Sequence, residues 1–147
     1  MLGYFKTFIK YILLFYPRYI NIKEIKNQNA DAINERPIEF RFVFDCLTKI
    51  YPQNVLDVGT GMTALPHLIR NCGYKVTATD NIKDYWPSGM FNRHYHVIND
   101  DITDSKLEQK FDLITCVSVL EHVSDFELAI KNMFSLLNPN GHLVISF

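Results

Sequence analysis

Cysteine is scarce in this chain, and its placement excludes a disulfide framework. The three cysteines in 147 residues, Cys46, Cys72 and Cys116, are widely spaced and odd in number. Each falls within an apolar helix or strand pattern, as expected of buried reduced thiols in a cytoplasmic protein. No Cys-x-x-Cys or His-x-x-x-His spacing occurs, so no clustered zinc site is expected. Charge of one sign is lacking as well: a net charge of −1 leaves no basic footprint for nucleic acid. Nor is there an uninterrupted apolar run of the ~20 residues that span a bilayer. Internal repeats and low-complexity tracts are absent. What is present is an ordinary globular composition, 48% hydrophobic and 21% charged, in a length that fits one domain with a substantial core.

Residues 1–16, MLGYFKTFIKYILLFY, are strongly apolar, with Lys6 and Lys10 the only charges. No small-residue cleavage site follows, and Pro17 with Arg18 ends the stretch, which argues against a signal peptide. On a helix, Lys6 and Lys10 share one stripe, while Phe5, Phe8, Ile9, Ile12 and Phe15 form a broad apolar face. That face either packs on the domain or makes peripheral contact with a membrane interface. Residues 20–35 are polar and asparagine-rich and read as a connector, so an N-terminal segment over 1–35 precedes a domain over 36–147.

Within that domain Pro37 opens a helical pattern carried by Phe40, Val43, Phe44, Leu47 and Ile50 and closed by Pro52. Strands are expected near 54–58, 75–79, 95–98, 111–117 and 142–147. Helices are expected near 63–72 and 119–137, with a short one near 104–109. This alternation predicts an α/β fold, a mostly parallel sheet between two helical layers.

Residues 54–70, NVLDVGTGMTALPHLIR, carry the most information. A short apolar run (Val55, Leu56, Val58) feeds the turn Gly59-Thr60-Gly61, and a helical pattern follows at once, the unit that receives a nucleotide-like ligand. Asp57 places a carboxylate at the strand's end, which repels a pyrophosphate and suits a ligand bearing positive charge. Asp80, followed by Asn81, comes about 20 residues after the glycine turn, where a carboxylate holds ribose hydroxyls. Asp100 and Asp101 follow the third strand. A carboxylate there either accepts from an adenine amino group, with Ile102 on the ring face, or caps a helix. Ser118, Glu121 and His122 end the fourth strand and face what lies beyond a bound nucleotide. His122, an imidazole, either takes a proton from a nucleophile or shapes the loop. Trp86 to Met90 form a loop after the second strand that lines the pocket or packs on the surface.

Together these residues resemble the class I S-adenosylmethionine-dependent methyltransferases. VLDVGTG is similar to the family's first motif, NDDIT to its adenine-contacting segment, and FDLITCVSVLEHV and LLNPNGHLVISF to its fourth- and fifth-strand motifs, with Asn140-Gly141 as the turn before the last strand. The resemblance covers roughly residues 37–147 and implies a three-layer Rossmann-like fold. It implies binding of S-adenosylmethionine by Asp57, Gly59, Thr60, Gly61, Asp80, Asn81, Asp101, Ile102 and Ser118, with His122 as a candidate base. The acceptor it implies is a small molecule, lipid or glycan precursor.

Two departures stand out. Thr63 occupies the place of the family's third glycine, so Gly59-x-Gly61-x-x-Ala64 also satisfies the dinucleotide fingerprint of an NAD(P)-dependent oxidoreductase. The chain also stops at Phe147, inside the fifth of the family's seven strands. The expectation is a truncated or split member, or one whose exposed fifth-strand side is covered by a partner chain or dimer, or by the N-terminal segment. A non-catalytic fragment that binds the cofactor or scaffolds a partner is the alternative.

Overall fold

Helix α1 (Arg36–Ile50) buries Glu39, Val43 and Leu47, residues one turn apart on a single face. It ends where Tyr51 turns to a left-handed φ of 49° and Pro52 forbids continuation. The structure is a computed structural model that describes Tyr19, residues 35–86, Met90 and residues 95–147. The apolar helix expected over 1–16, the connector except for Glu35, and residues 87–89 of the aromatic loop lie outside the described residues. Arg36–Phe147 close into one compact unit.

From α1 the described chain runs through β1 (Asn54–Val58), α2 (Leu65–Asn71), β2 (Lys75–Asp80), a short α3 (Ile82–Tyr85), β3 (Val97–Asn99) and a 3-10 turn at Ile102–Asp104. It continues through β4 (Phe111–Val117), a second 3-10 turn at Leu120–His122, α4 (Phe126–Ser135) and β5 (Leu137–Ser146). The described strands form one five-stranded sheet in the order β3-β2-β1-β4-β5, with every neighbouring pair parallel. The chain steps outward from β1 to β3, then returns to the other side of β1 with β4. That reversal opens a crevice at the carboxyl ends of β1 and β4, where ligands bind in open α/β sheets.

Burial explains the layering. The central strands β1 and β4 are buried along nearly their whole length, as strands covered on both faces must be. Successive side chains of β4 divide between the two faces. Leu113 and Val117 pack with Val43 and Leu47 of α1 and with Leu65 and Ile69 of α2. Ile114 and Cys116 pack with Ala129 and Met133 of α4 and with Ile102. The result is the three-layer α/β arrangement expected.

The short α3 was not expected, the helix expected over 63–72 covers Leu65–Asn71, and the strand expected over 75–79 extends to Asp80. Four further elements differ from expectation. The helix expected over 119–137 splits into the 3-10 turn at Leu120–His122 and α4, because Asp125 starts a new helix by accepting from the Leu128 N–H at 3.0 Å. The short helix expected near 104–109 is a 3-10 turn three residues long at Ile102–Asp104. Beyond it Asp100 Oδ1 accepts from the Lys106 N–H at 2.8 Å and diverts the backbone. The third strand covers Val97–Asn99 rather than 95–98. β5 begins at Leu137 rather than 142, since a register shift between the Phe111 and Leu113 pairs absorbs the Asn140-Gly141 turn within the strand. Asn140 takes a φ of 65° there, a conformation asparagine tolerates.

Candidate functional site

The glycine turn is pinned to the end of β2. Gly59 and Gly61 have φ of 66° and 55°, which only glycine adopts at little cost. A Cβ on Gly59 would lie 2.4 Å from a Val119 methyl carbon, so the loop after β4 packs directly on this glycine. The Thr60 N–H donates to the Thr79 carbonyl at 3.0 Å, and the Gly61 N–H donates to Asp80 Oδ2 at 2.7 Å.

Over this turn lies a cavity of about 290 Å³. Gly59, Gly61, Asp80, Asn81, Asp101, Ile102, Ser118 and His122, eight of the residues picked out by spacing and motif, all line it. Asp57 and Thr60 do not. They lie behind Gly59, on a separate cleft of about 10 Å³ shared with Arg36 and Phe40. Asp57 is buried, with Oδ1 accepting from Thr115 Oγ1 at 2.6 Å on the neighbouring strand. Burial pushes its carboxyl up to about 6, against the opposing pull of the Thr115 and Thr60 hydrogen bonds.

The carboxylates of the cavity wall differ in how much capacity they have left. Asp80 accepts from Gly61 N–H through Oδ2 and from the Trp86 indole N–H through Oδ1, the latter at 2.9 Å. Asp101 Oδ1 accepts from both the N–H and the hydroxyl of Thr103, at 2.8 and 2.7 Å. Its Oδ2 accepts from Asn81 Nδ2 at 3.2 Å. Asp101 is thus the cap of the 3-10 turn as well as a wall of the cavity. Asp100 is buried, and its Oδ2 has no hydrogen-bond partner among the described residues.

At the far side, Ser118 takes a φ of 51° and donates through Oγ to Glu39 Oε1. His122 is exposed, with its ring 5.8 Å from that of Tyr85. Glu121, on the same turn, does not line the cavity. Trp86 does line it, as one of the two readings of its loop expected. Arg36 and Tyr85 also line it, and no motif pointed to them. Arg36 precedes Pro37 at the start of α1, and its place on the cavity depends on how α1 packs across the sheet, which spacing along the chain does not encode.

Among the described residues no helix is long and apolar enough to cross a membrane. Among the same residues, no group of three or more His, Cys, Asp or Glu is arranged to hold a metal ion.

Comparison with known proteins gives a consistent result. The methyltransferase domain family matches residues 23–147. The ubiquinone biosynthesis O-methyltransferase of Coxiella burnetii is 32% identical over 117 residues, an alignment covering 75% of this chain and 49% of that protein. The protein of the same description from Alkalilimnicola ehrlichii is 28% identical over 118 residues, covering 75% and 47%. The chain therefore spans about half the length of the curated relatives it matches. Among solved structures, an S-adenosylmethionine-dependent methyltransferase from Clostridium acetobutylicum superposes with a TM-score of 0.59 at 18% identity, covering 86% of this chain and 56% of that one. The N-methyltransferase NodS from Bradyrhizobium japonicum, in complex with S-adenosyl-L-homocysteine, gives 0.55 at 24% identity, covering 76% and 60%.

Proposed function

The chain belongs to the methyltransferase domain family, and on that premise we propose that its cavity binds S-adenosylmethionine and that the protein methylates a small-molecule acceptor. The observation that carries this reading is the state of the glycine turn. A pyrophosphate needs free backbone N–H donors at such a turn, yet the N–H groups of Thr60 and Gly61 already donate within the protein. Asp80, Asp100 and Asp101 on the cavity wall add negative charge that a phosphate would meet. An uncharged ribose and a positively charged sulfonium suit the same wall.

When bound, S-adenosylmethionine supplies an activated methyl group on sulfur. The residues of this chain provide the rest. Asp80 would hold the ribose hydroxyls, Ile102 would offer an apolar surface to the base, and Asp100 and Asp101 are the carboxylates on that wall that would accept from its amino group. Asp101 and Asn81 hold each other and the turn that carries Ile102. Ser118 borders the cavity beyond them, and Arg36, ion-paired with Glu39 Oε2 at 3.8 Å, lines it too. Asp57, with Thr60 beside it, contributes its charge from behind the turn once ionised. The exposed imidazole of His122 is the group positioned to take a proton from an acceptor hydroxyl.

An oxygen acceptor is favoured by the description of the curated relatives as O-methyltransferases of ubiquinone biosynthesis. The proposal extends to two contacts. Residues 1–16 supply the apolar face for a membrane interface, and the edge of β5, which has no strand neighbour among the described residues, pairs with a further chain.

A thermal-shift titration with S-adenosyl-L-homocysteine, with NAD in parallel, tests the reading. A ligand that binds only the folded state raises the midpoint in proportion to the logarithm of its concentration. The expected result is a rise with S-adenosyl-L-homocysteine and none with NAD. A rise with NAD alone, or a cooperative melt that neither ligand moves, overturns it.

A further inference from the structure

Trp86 is the single tryptophan of the chain, and it covers the carboxylate assigned above to ribose. Its indole N–H donates to Asp80 Oδ1 at 2.9 Å. The six-membered edge of the ring lies against Gly61, with Cζ2 3.8 Å from where a Cβ would stand. Tyr85 packs edge-on to it, ring centroids 5.6 Å apart. The backbone of Trp86 is held separately, its N–H donating to the Ile82 carbonyl at 3.2 Å at the end of α3. The side chain can therefore swing while the backbone stays in place.

Asp80 is hard to reach with the indole there. Oδ2 accepts from the Gly61 N–H and Oδ1 from the indole, and although each oxygen has a further lone pair, the residue is only 7% exposed. A ribose diol needs acceptor sites on this carboxylate and a path to reach them. The Gly61 hydrogen bond belongs to the folded turn and cannot be surrendered without distorting it. The indole bond ties down a side chain with two rotatable torsions and is the one that can be exchanged.

We propose that Trp86 is a specificity-determining residue of the nucleoside site: its indole N–H occupies the Asp80 oxygen that ribose hydroxyls require, and a ligand enters by displacing it. This rests on the reading of the cavity as an adenosine site. The contact then acts as a filter. A ligand that carries ribose hydroxyls replaces the lost hydrogen bond to Asp80, whereas one without them leaves the indole in place or strands a buried carboxylate.

Two measurements on the full chain test this, intrinsic fluorescence of the wild type and calorimetric titration of wild type and Trp86→Phe. Because one indole gives the whole tryptophan signal, displacement on binding S-adenosyl-L-homocysteine is expected to change its emission. Trp86→Phe keeps an aromatic ring but loses the donor. It is expected to bind S-adenosyl-L-homocysteine and adenosine roughly tenfold more tightly, the scale of one competing hydrogen bond to a charged acceptor, with no gain for 2′,3′-dideoxyadenosine. Unchanged emission on binding, equal or weaker binding by Trp86→Phe, or an equal gain for the dideoxy ligand overturns the proposal while leaving the cofactor site intact. Absence of nucleoside binding by both proteins overturns the cofactor reading and this inference with it.

Discussion

Ser118 donates its hydroxyl to Oε1 of Glu39 at 2.7 Å across seventy-nine residues of sequence. Ser146 donates to the same oxygen at 2.6 Å. One carboxylate on α1 therefore ties together the carboxyl ends of β4 and β5 beside the cavity. Replacing Glu39 with alanine leaves two partly buried hydroxyls without their acceptor. Glu39→Ala is expected to lower unfolding stability by about 2 kcal/mol, read as a shift of the urea midpoint at unchanged slope. An unaltered midpoint would show that the strand ends are held by their ladder alone.

The glycine turn makes a sharper prediction. A methyl at position 59 meets the Val119 methyl carbons at 2.4 and 2.6 Å and must also accept a φ of 66°. Gly59→Ala is expected to cost about 2–4 kcal/mol, overpacking and left-handed strain together. Adding Val119→Ala should recover the overpacking part and leave the strain. If the double variant is no more stable than Gly59→Ala, the contact with Val119 is not what forbids a side chain.

Asp57 gives a pH dependence of definite sign. Its folded carboxyl titrates at about 6 against an ordinary 3.8, raised chiefly by burial. The folded state therefore holds the proton more tightly than the unfolded chain. The stabilisation this provides is full below the unfolded value and is lost as pH rises through about 6. Relative to Asp57→Asn, the wild type should lose on the order of 2–3 kcal/mol between roughly pH 4 and pH 7. Asp112 runs the other way. Hydrogen bonds from Asn138, Asn54 and Gln53 lower its carboxyl, so its contribution is present above the ordinary value and lost as pH falls through the folded one. Denaturant titrations across that range check the first sign, and titrations below the ordinary value of 3.8 check the second.

The three thiols should separate by reactivity. Burial first, then the charges of Asp57 and Glu121, push the Cys116 thiol up to about 12, so it offers almost no thiolate at neutral pH. Cys72 is exposed and Cys46 half-buried. A disulfide reagent under native conditions should modify Cys72 first, and Cys116 only at the rate of unfolding. Early modification of Cys116 would mean that the sheet centre opens locally.

Strands, helices and the glycine turn were legible along the chain because their causes are local. Burial on alternate or successive residues, a capping side chain and a glycine at positive φ each act within a few positions, and residues 54–58 and 111–117 read as strands at their observed limits. The same locality hid the break before α4, since Asp125, within a helical apolar spacing that continues on both sides, reads as part of the helix it in fact begins. Eight of the residues picked out by spacing and motif line one cavity because a parallel sheet sends every strand end to one edge, so spacing alone collects them there. The pairing among them was not legible. That Asp57 is turned to Thr115, that Asp101 is spent on its own turn while Asp100 keeps an oxygen unpartnered, and that Trp86 covers Asp80 all depend on contacts the motif spacing does not encode. Such contacts are set when packed layers fix the rotamers and registers of distant segments. A carboxylate's place in a motif follows from the chain, but which of its oxygens finds a partner follows from the fold.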